Sequence, residues 1–294
     1  QLAFIGGHYF FGWNDGGALL GRRFTPALAP LDASPRVLAP ISGVLATSPN
    51  QLLVVSSAAT PIFTSEIVAQ RIDANLNVLD PVPVSISGEA PDYYPVEPRA
   101  VFDGTRWIVG WTSYGSQRAH AARFSTGGVV LDPDGVLLPD DNPNVFYDHA
   151  LGALSGGGAL FAWDDIRNLS TLDVFALPFR ADGSTGVERC YSLGAESQGE
   201  PRVTAGPGLH LVTYRAESAT GSRILVQRVD RLGRALDTEP GSEPAHRLAV
   251  AAHLALGERA GARRALELAR AALDELGVGP APETVMLARA METP

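Results

Sequence analysis

Short apolar runs that end in an aromatic residue recur along the first 243 positions. They are Tyr9-Phe10-Phe11-Gly12-Trp13, Trp107-Ile108-Val109-Gly110-Trp111, Leu160-Phe161-Ala162-Trp163 and Leu209-His210-Leu211-Val212-Thr213-Tyr214. The anchors at 111, 163 and 214 are 52 and 51 residues apart, and Trp13 precedes Trp111 by 98, about two periods. The missing copy is Leu52-Leu53-Val54-Val55-Ser56, with Ser56 in the aromatic position. Each run follows a turn signal: Gly6-Gly7, Pro49-Asn50, Asp103-Gly104, Gly156-Gly157-Gly158 or Gly206-Pro207-Gly208. Glycine at such points supplies the positive φ of tight turns, and apolar runs on both sides predict a hairpin.

A second anchor keeps the same period. Arg23-Phe24-Thr25 leads to Leu31-Asp32, Arg71-Ile72-Asp73 to Leu79-Asp80, Arg123-Phe124-Ser125 to Leu131-Asp132, and Arg228-Val229-Asp230 to Leu236-Asp237. The fourth unit diverges to Phe179-Arg180-Ala181-Asp182-Gly183. Four short strands per repeat of about 50 residues are the sequence form of a propeller blade. The expected fold is all-β, a β-propeller of about five four-stranded blades, approximately 1–41, 42–91, 92–144, 145–200 and 201–243, in a closed or an incomplete ring. Trp107, Val109 and Trp111 alternate to one face and are expected in the core between neighbouring blades.

Beyond residue 245 the period becomes helical. Ala262, Ala265, Leu266, Ala269, Ala272, Leu273 and Leu276 share one face, while Arg263, Arg264, Glu267, Arg270 and Asp274 take the other. His246 to Leu256 predicts a preceding helix capped by Gly257, and Pro282-Glu283 starts a third. Residues 245–294 are therefore expected to form a C-terminal α-helical hairpin of tetratricopeptide (TPR-like) type.

Composition narrows the function classes. Charged residues make up 19% and hydrophobic residues 45%, a globular balance. All 23 basic residues are Arg, which together with abundant Ala, Gly and Pro points to a GC-rich bacterial source. A net charge of −9 without a basic cluster argues against nucleic-acid binding by the propeller, because that affinity rests on clustered cations. No apolar run is long enough for a membrane-spanning helix. Cys190 is the single cysteine, so it forms no intrachain disulfide and is expected as a small buried hydrophobe. The chain opens with Gln1 inside an apolar segment and its methionines are Met286 and Met291, so a fragment or processed product is expected.

Two resemblances add to this. Trp13-Asn14-Asp15, Trp163-Asp164-Asp165 and Arg228-Val229-Asp230-Arg231-Leu232-Gly233-Arg234-Ala235-Leu236-Asp237 resemble the degenerate propeller repeats of bacterial, myxobacterial-type cell-surface proteins over residues 1–243. That resemblance implies a secreted or surface location. Leu254-Ala255-Leu256-Gly257-Glu258-Arg259, Ala272-Leu273-Asp274-Glu275-Leu276-Gly277-Val278 and Pro280-Ala281-Pro282-Glu283-Thr284 resemble the end of the bacterial transcriptional activator domain. This second one implies a helical hairpin, a protein-contact role and a cytoplasmic location. The tail carries six Arg against six Asp or Glu, so it has no net positive charge for DNA.

Candidate chemistry is confined to carboxylates at the strand ends: Asp15, Asp164, Asp165 and Glu217. If those ends converge, the acids could act as a glycosidase pair, since five-bladed folds host glycosidases; otherwise they are turn residues. Asp132-Pro133-Asp134-Gly135 and Asp140-Asp141-Asn142 lack the spacing of a calcium loop, and the six histidines show no metal-ligand spacing. No cofactor, phosphate-loop or serine-nucleophile motif is present. The expectation is a non-catalytic propeller module that binds a protein or glycan partner at one face. Two alternatives remain: a fragment of a regulatory protein that uses its helical tail for protein contacts, and a glycoside hydrolase with acids in a central cleft.

Overall fold

The computed structural model describes residues 1–41, 43–59, 65–88, 94–113, 118–138, 148–166, 171–191, 197–206, 209–218 and 221–230, with scattered residues of the C-terminal segment. The chain divides into two compact units, Gln1–Val226 with Asp230–Arg234, and Gln227–Val229 with Ala235–Pro294.

The fold is mostly β and propeller-like. Five antiparallel sheets follow one another along the chain, four of four strands and one of three among the described residues. The first contains β1 (Leu2–Ile5), β2 (His8–Asp15), β3 (Ala18–Phe24) and β4 (Arg36–Ala39). The second contains β5 (Val44–Thr47), β6 (Gln51–Ala59), β7 (Ser65–Asp73) and β8 (Val84–Ser85). The third contains β9 (Pro95–Phe102), β10 (Arg106–Ser113), β11 (Arg118–Ser125) and β12 (Val136–Leu137). The fourth contains β13 (His149–Ala153), β14 (Gly158–Asp165), β15 (Asp173–Arg180) and β16 (Arg189–Cys190). The fifth contains β17 (Ser197–Gly206), β18 (Leu209–Ser218) and β19 (Gly221–Val229). Strand order in each sheet is sequential, and the first strands pack in series, β1 on β5, β5 on β9, β9 on β13 and β13 on β17.

Aromatic anchors fill the spaces between consecutive sheets. Trp107, Val109 and Trp111 of β10 pack on Leu53, Val55, Ile67 and Ala69 of the second sheet. One period on, Phe161 and Trp163 of β14 pack with Ile108, Ala119 and Ala121 of the third. Alternation in β10 therefore sends one set of side chains backward and the other forward, and both faces of each inner sheet are core. Cys190 is half-buried at the edge of the second of these clusters.

The Arg…Leu-Asp anchor is a clamp between blades. Asp132 accepts the Arg123 backbone N–H at 2.8 Å, Nε–H at 2.8 Å and Nη2–H at 2.7 Å, while Arg123 Nη1 donates to the Ala181 carbonyl of the next sheet at 2.9 Å. Asp80 holds Arg71 in the same way, and Arg71 Nη1 donates to the Thr126 carbonyl. Asp32 holds Arg23, whose Nη1 donates to the Ala74 carbonyl at 3.2 Å. The fourth sheet has no Arg–Asp pair of this kind at the equivalent place: Pro178 takes the arginine position, with its carbonyl accepting the Gly186 N–H as the Arg123 carbonyl accepts Leu131. In the fifth unit the equivalent Leu236 N–H to Arg228 carbonyl bond is kept at 2.8 Å, and Asp237 lies outside the described residues.

A left-handed residue sits beside the clamps: Leu28, Leu76, Gly128 and Gly183 hold φ between 62° and 89°. A Cβ on Gly128 would lie 2.5 Å from Arg71 Nη2, and one on Gly183 would lie 2.8 Å from Arg123 Nη2. Glycine at these two positions serves both the turn and the seating of the neighbouring arginine.

In the C-terminal unit, Arg263, Leu266, Glu267 and Arg270 are helical, as are Thr284–Met286, Ala288 and Arg289. Leu266 is buried and the three charged residues are exposed, as the amphipathic pattern requires. The described residues show helical positions but not the paired arms of the expected TPR-like hairpin, whose first arm, 246–256, lies outside the described residues.

Candidate acidic cleft

Three consecutive first strands bring charged groups together at one end of the sheets. Asp148 immediately precedes β13, and its carboxylate faces Arg99 of β9 at 3.6 Å and Arg202 of β17 at 2.6 Å. Arg99 and Arg202 each end a Glu-Pro-Arg tripeptide, Glu97-Pro98-Arg99 and Glu200-Pro201-Arg202. In both strands the glutamate has positive φ, 53° at Glu97 and 55° at Glu200, and the register slips there. Proline cannot donate to the ladder and disfavours the α region in the residue before it, so the strand bulges and turns the glutamate and arginine outward.

Asp164, at the end of β14, organises this cluster. Its Oδ1 accepts the Asp148 backbone N–H at 2.8 Å and its Oδ2 accepts the Glu200 backbone N–H at 2.8 Å. A Cβ on Gly199 would stand 2.6 Å from that Oδ2, so only glycine lets the bulge approach the carboxylate. Asp164 is 2% exposed. Arg215 of β18 then joins the two outer acids, donating to Glu200 at 3.1 Å and to Glu217 at 2.5 Å. A cavity of about 280 Å³ is lined by Asp148, Asp164, Glu200, Arg215 and Glu217, with Leu172 and Ser197 at its wall.

Of the four acids singled out from the sequence, the structure brings Asp164 and Glu217 to this cavity. Asp165 is 1% exposed and accepts the Trp163 indole N–H at 3.1 Å, a packing role. Asp15 is exposed at the β2–β3 turn of the first sheet. Asp148, Glu200 and the arginines escaped the sequence reading. The Glu-Pro-Arg tripeptide, repeated 103 residues apart, was the signal that could have found them.

His149, next to Asp148, is buried and stacked on Phe161 at 5.2 Å between ring centroids. Burial, aided by the Arg99 charge, pushes its pKa down to about 3, so it stays neutral beside the ion pairs. Among the described residues no group of three or more His, Cys, Asp or Glu is placed to hold a metal ion, and no helix is long and apolar enough to cross a membrane.

Comparison with known proteins gives two separate results. The bacterial transcriptional activator domain family matches residues 208–291, a span that includes β18 and β19 as well as the C-terminal unit. No curated protein sequence matches the chain. Among solved structures, an endo-arabinase from Bacteroides thetaiotaomicron aligns over 75% of this chain and 88% of its own at 11% identity and a TM-score of 0.45. A thermostable family-43 glycoside hydrolase aligns over 78% and 88% at 9% identity and 0.44. Prolyl endopeptidases align over 78% of this chain and 34% of theirs at 12% identity and 0.46. These likenesses concern the fold, and chemistry has to be argued from this chain's own residues. The expectation of a non-catalytic module that binds a protein or glycan is corrected on the residues themselves: acids expected to be scattered turn residues line one cavity.

Proposed function

We propose that the β-unit is a glycoside hydrolase whose acids line the cleft between the fourth and fifth sheets. The observation that carries this reading is the convergence of Asp148, Asp164, Glu200 and Glu217 on one cavity with Arg215. Glycoside hydrolysis needs one carboxyl group to protonate the leaving oxygen and a second to stabilise the oxocarbenium-like centre or activate water. Asp148, facing two guanidinium groups, is suited to hold negative charge through the reaction. Glu217 is 55% exposed at the mouth and shares a single cation, Arg215, with Glu200, two carboxyl groups against one guanidinium, and this scheme gives it the role of proton donor. Asp164 spends both oxygens on backbone N–H groups and positions Asp148 and Glu200.

The test is a panel of aryl furanosides and pyranosides together with linear polysaccharides. Glu217→Gln is expected to lower kcat by about 100-fold or more while the chain stays folded, and Asp15→Asn to leave it unchanged. Glu217→Gln with wild-type rates on every hydrolysed substrate removes the assignment.

A second reading rests on the family match at residues 208–291 and gives the C-terminal helices a protein-contact role. Under it, Leu266→Asp, at a buried helical position, abolishes partner capture and leaves hydrolysis intact.

A further inference from the structure

The two ends of the sheet series expose the two halves of one more interface. The apolar contacts between consecutive sheets reuse equivalent positions. The second strand of one sheet points an apolar residue back at its predecessor: Val54, Val109, Phe161 and Val212, each 0% exposed. At the first three contacts the predecessor meets it with the third strand, Leu19, then Ile67 and Ala69, then Ala119 and Ala121; Val174 and Ala176 hold the same place by register in the fourth sheet, and none of these is more than 2% exposed.

Register extends both series to the ends. Phe10 pairs with Arg23 as Leu53 does with Arg71 and Ile108 with Arg123, so Phe11 occupies the backward-pointing position of the first sheet. It is 48% exposed, and beside it on β1 Leu2 is 72% and Phe4 56% exposed. At the other end, the Leu236 N–H to Arg228 carbonyl bond matches that of Leu131 to Arg123, so Ile224 and Val226 stand where Ala119 and Ala121 stand. They are 67% and 56% exposed. Within the chain these two faces therefore do not cover each other.

We infer that the first-sheet face and the last-sheet face dock on each other between two copies of this chain, head to tail. The occupant follows from continuity with the interfaces already described. A face built to receive a third strand of this repeat meets that strand in another copy, and the apolar positions on both sides lose water as they do at the four internal contacts. Such a contact is heterologous, so a dimer keeps one free face of each kind, one on each copy, and association continues beyond it unless the ring closes.

Sedimentation or light scattering of the full chain, from micromolar to several hundred micromolar, is the test. Wild type is expected to pass from monomer to dimer and larger species. Phe4→Glu with Phe11→Glu destroys one face, Ile224→Glu with Val226→Glu the other, and each variant alone should remain monomeric. An equimolar mixture of the two has one intact face of each kind and should give a species of twice the monomer mass and nothing larger. All substituted side chains are exposed; if a glutamate pair alters the circular dichroism spectrum, serine at the same positions replaces it. A wild type monomeric across the range, variants that still associate alone, or a mixture that stays monomeric would overturn the inference.

Discussion

Removing the Asp132 carboxylate should loosen the third sheet from the fourth by a measurable amount. In Asp132→Ala, Arg123 loses two charge-assisted bonds from its guanidinium, and its backbone N–H loses its acceptor. The two side chains are 16% and 10% exposed, so water recovers part of the loss. Breaking a fully buried pair costs about 3–5 kcal/mol; with this partial access, about 2–4 kcal/mol is expected. Only part is local, because Arg123 also reaches the Ala181 carbonyl and a freed guanidinium gives up that bond between sheets. Urea unfolding of the full chain should show a lower midpoint with unchanged m. The melting temperature should fall by about 4–12 °C. Glu66→Ala, which removes one exposed hydrogen bond to Ser85, is the control and should stay within about 0.5 kcal/mol. Asp132→Ala that unfolds like this control would refute the clamp as a stabilising contact.

Other outcomes follow from the same contacts. Asp103 is buried and would be pushed up by burial, but N–H groups of Gly158, Arg106 and Thr105 hold its pKa below the ordinary value; Asp103→Ala, which strands those donors between the third and fourth sheets, should cost about 2–4 kcal/mol in the same unfolding assay. Because the His149 pKa lies near 3 when folded and near 6.5 when unfolded, the unfolded chain binds more protons between those values. Stability from this group is complete above pH 6.5 and declines on acidification by about 1.4 kcal/mol per pH unit. His149→Phe, which keeps the stack on Phe161, should flatten that part of a pH–stability profile measured by denaturant titration.

The repeat was legible because its signals are local and redundant. An aromatic-ended strand, a glycine turn and an Arg…Asp pair recur at one spacing, and each has a structural duty in the sheets: inter-sheet core, hairpin, clamp. The clamp's reach into the next sheet was not legible, since its acceptor is a backbone carbonyl more than 50 residues away, with no side chain to announce it. The cleft was half visible. Asp164 and Glu217 stand at strand ends, where the sequence pointed, but Asp148 lies before a strand and Glu200 depends on a bulge that shifts which side chains face outward. Asp164-Asp165 shows the limit of reading such pairs: adjacent residues on a strand face opposite ways, so one reaches the cleft and the other holds an indole. The C-terminal periodicity gave a helix and its apolar face, on which Leu266 is buried, but amphipathic spacing does not say which segment packs on that face.

Hydrolysis by this chain requires that the acids gathered around Asp148 perform chemistry. The direct measurement is the initial rate of reducing-sugar release from the glycoside panel by the wild-type chain and by Asp148→Asn. Release by the wild type, with a loss of about 100-fold or more in folded Asp148→Asn, is the predicted result. Equal rates for the two proteins, or no release from any glycoside by the wild type, would contradict it.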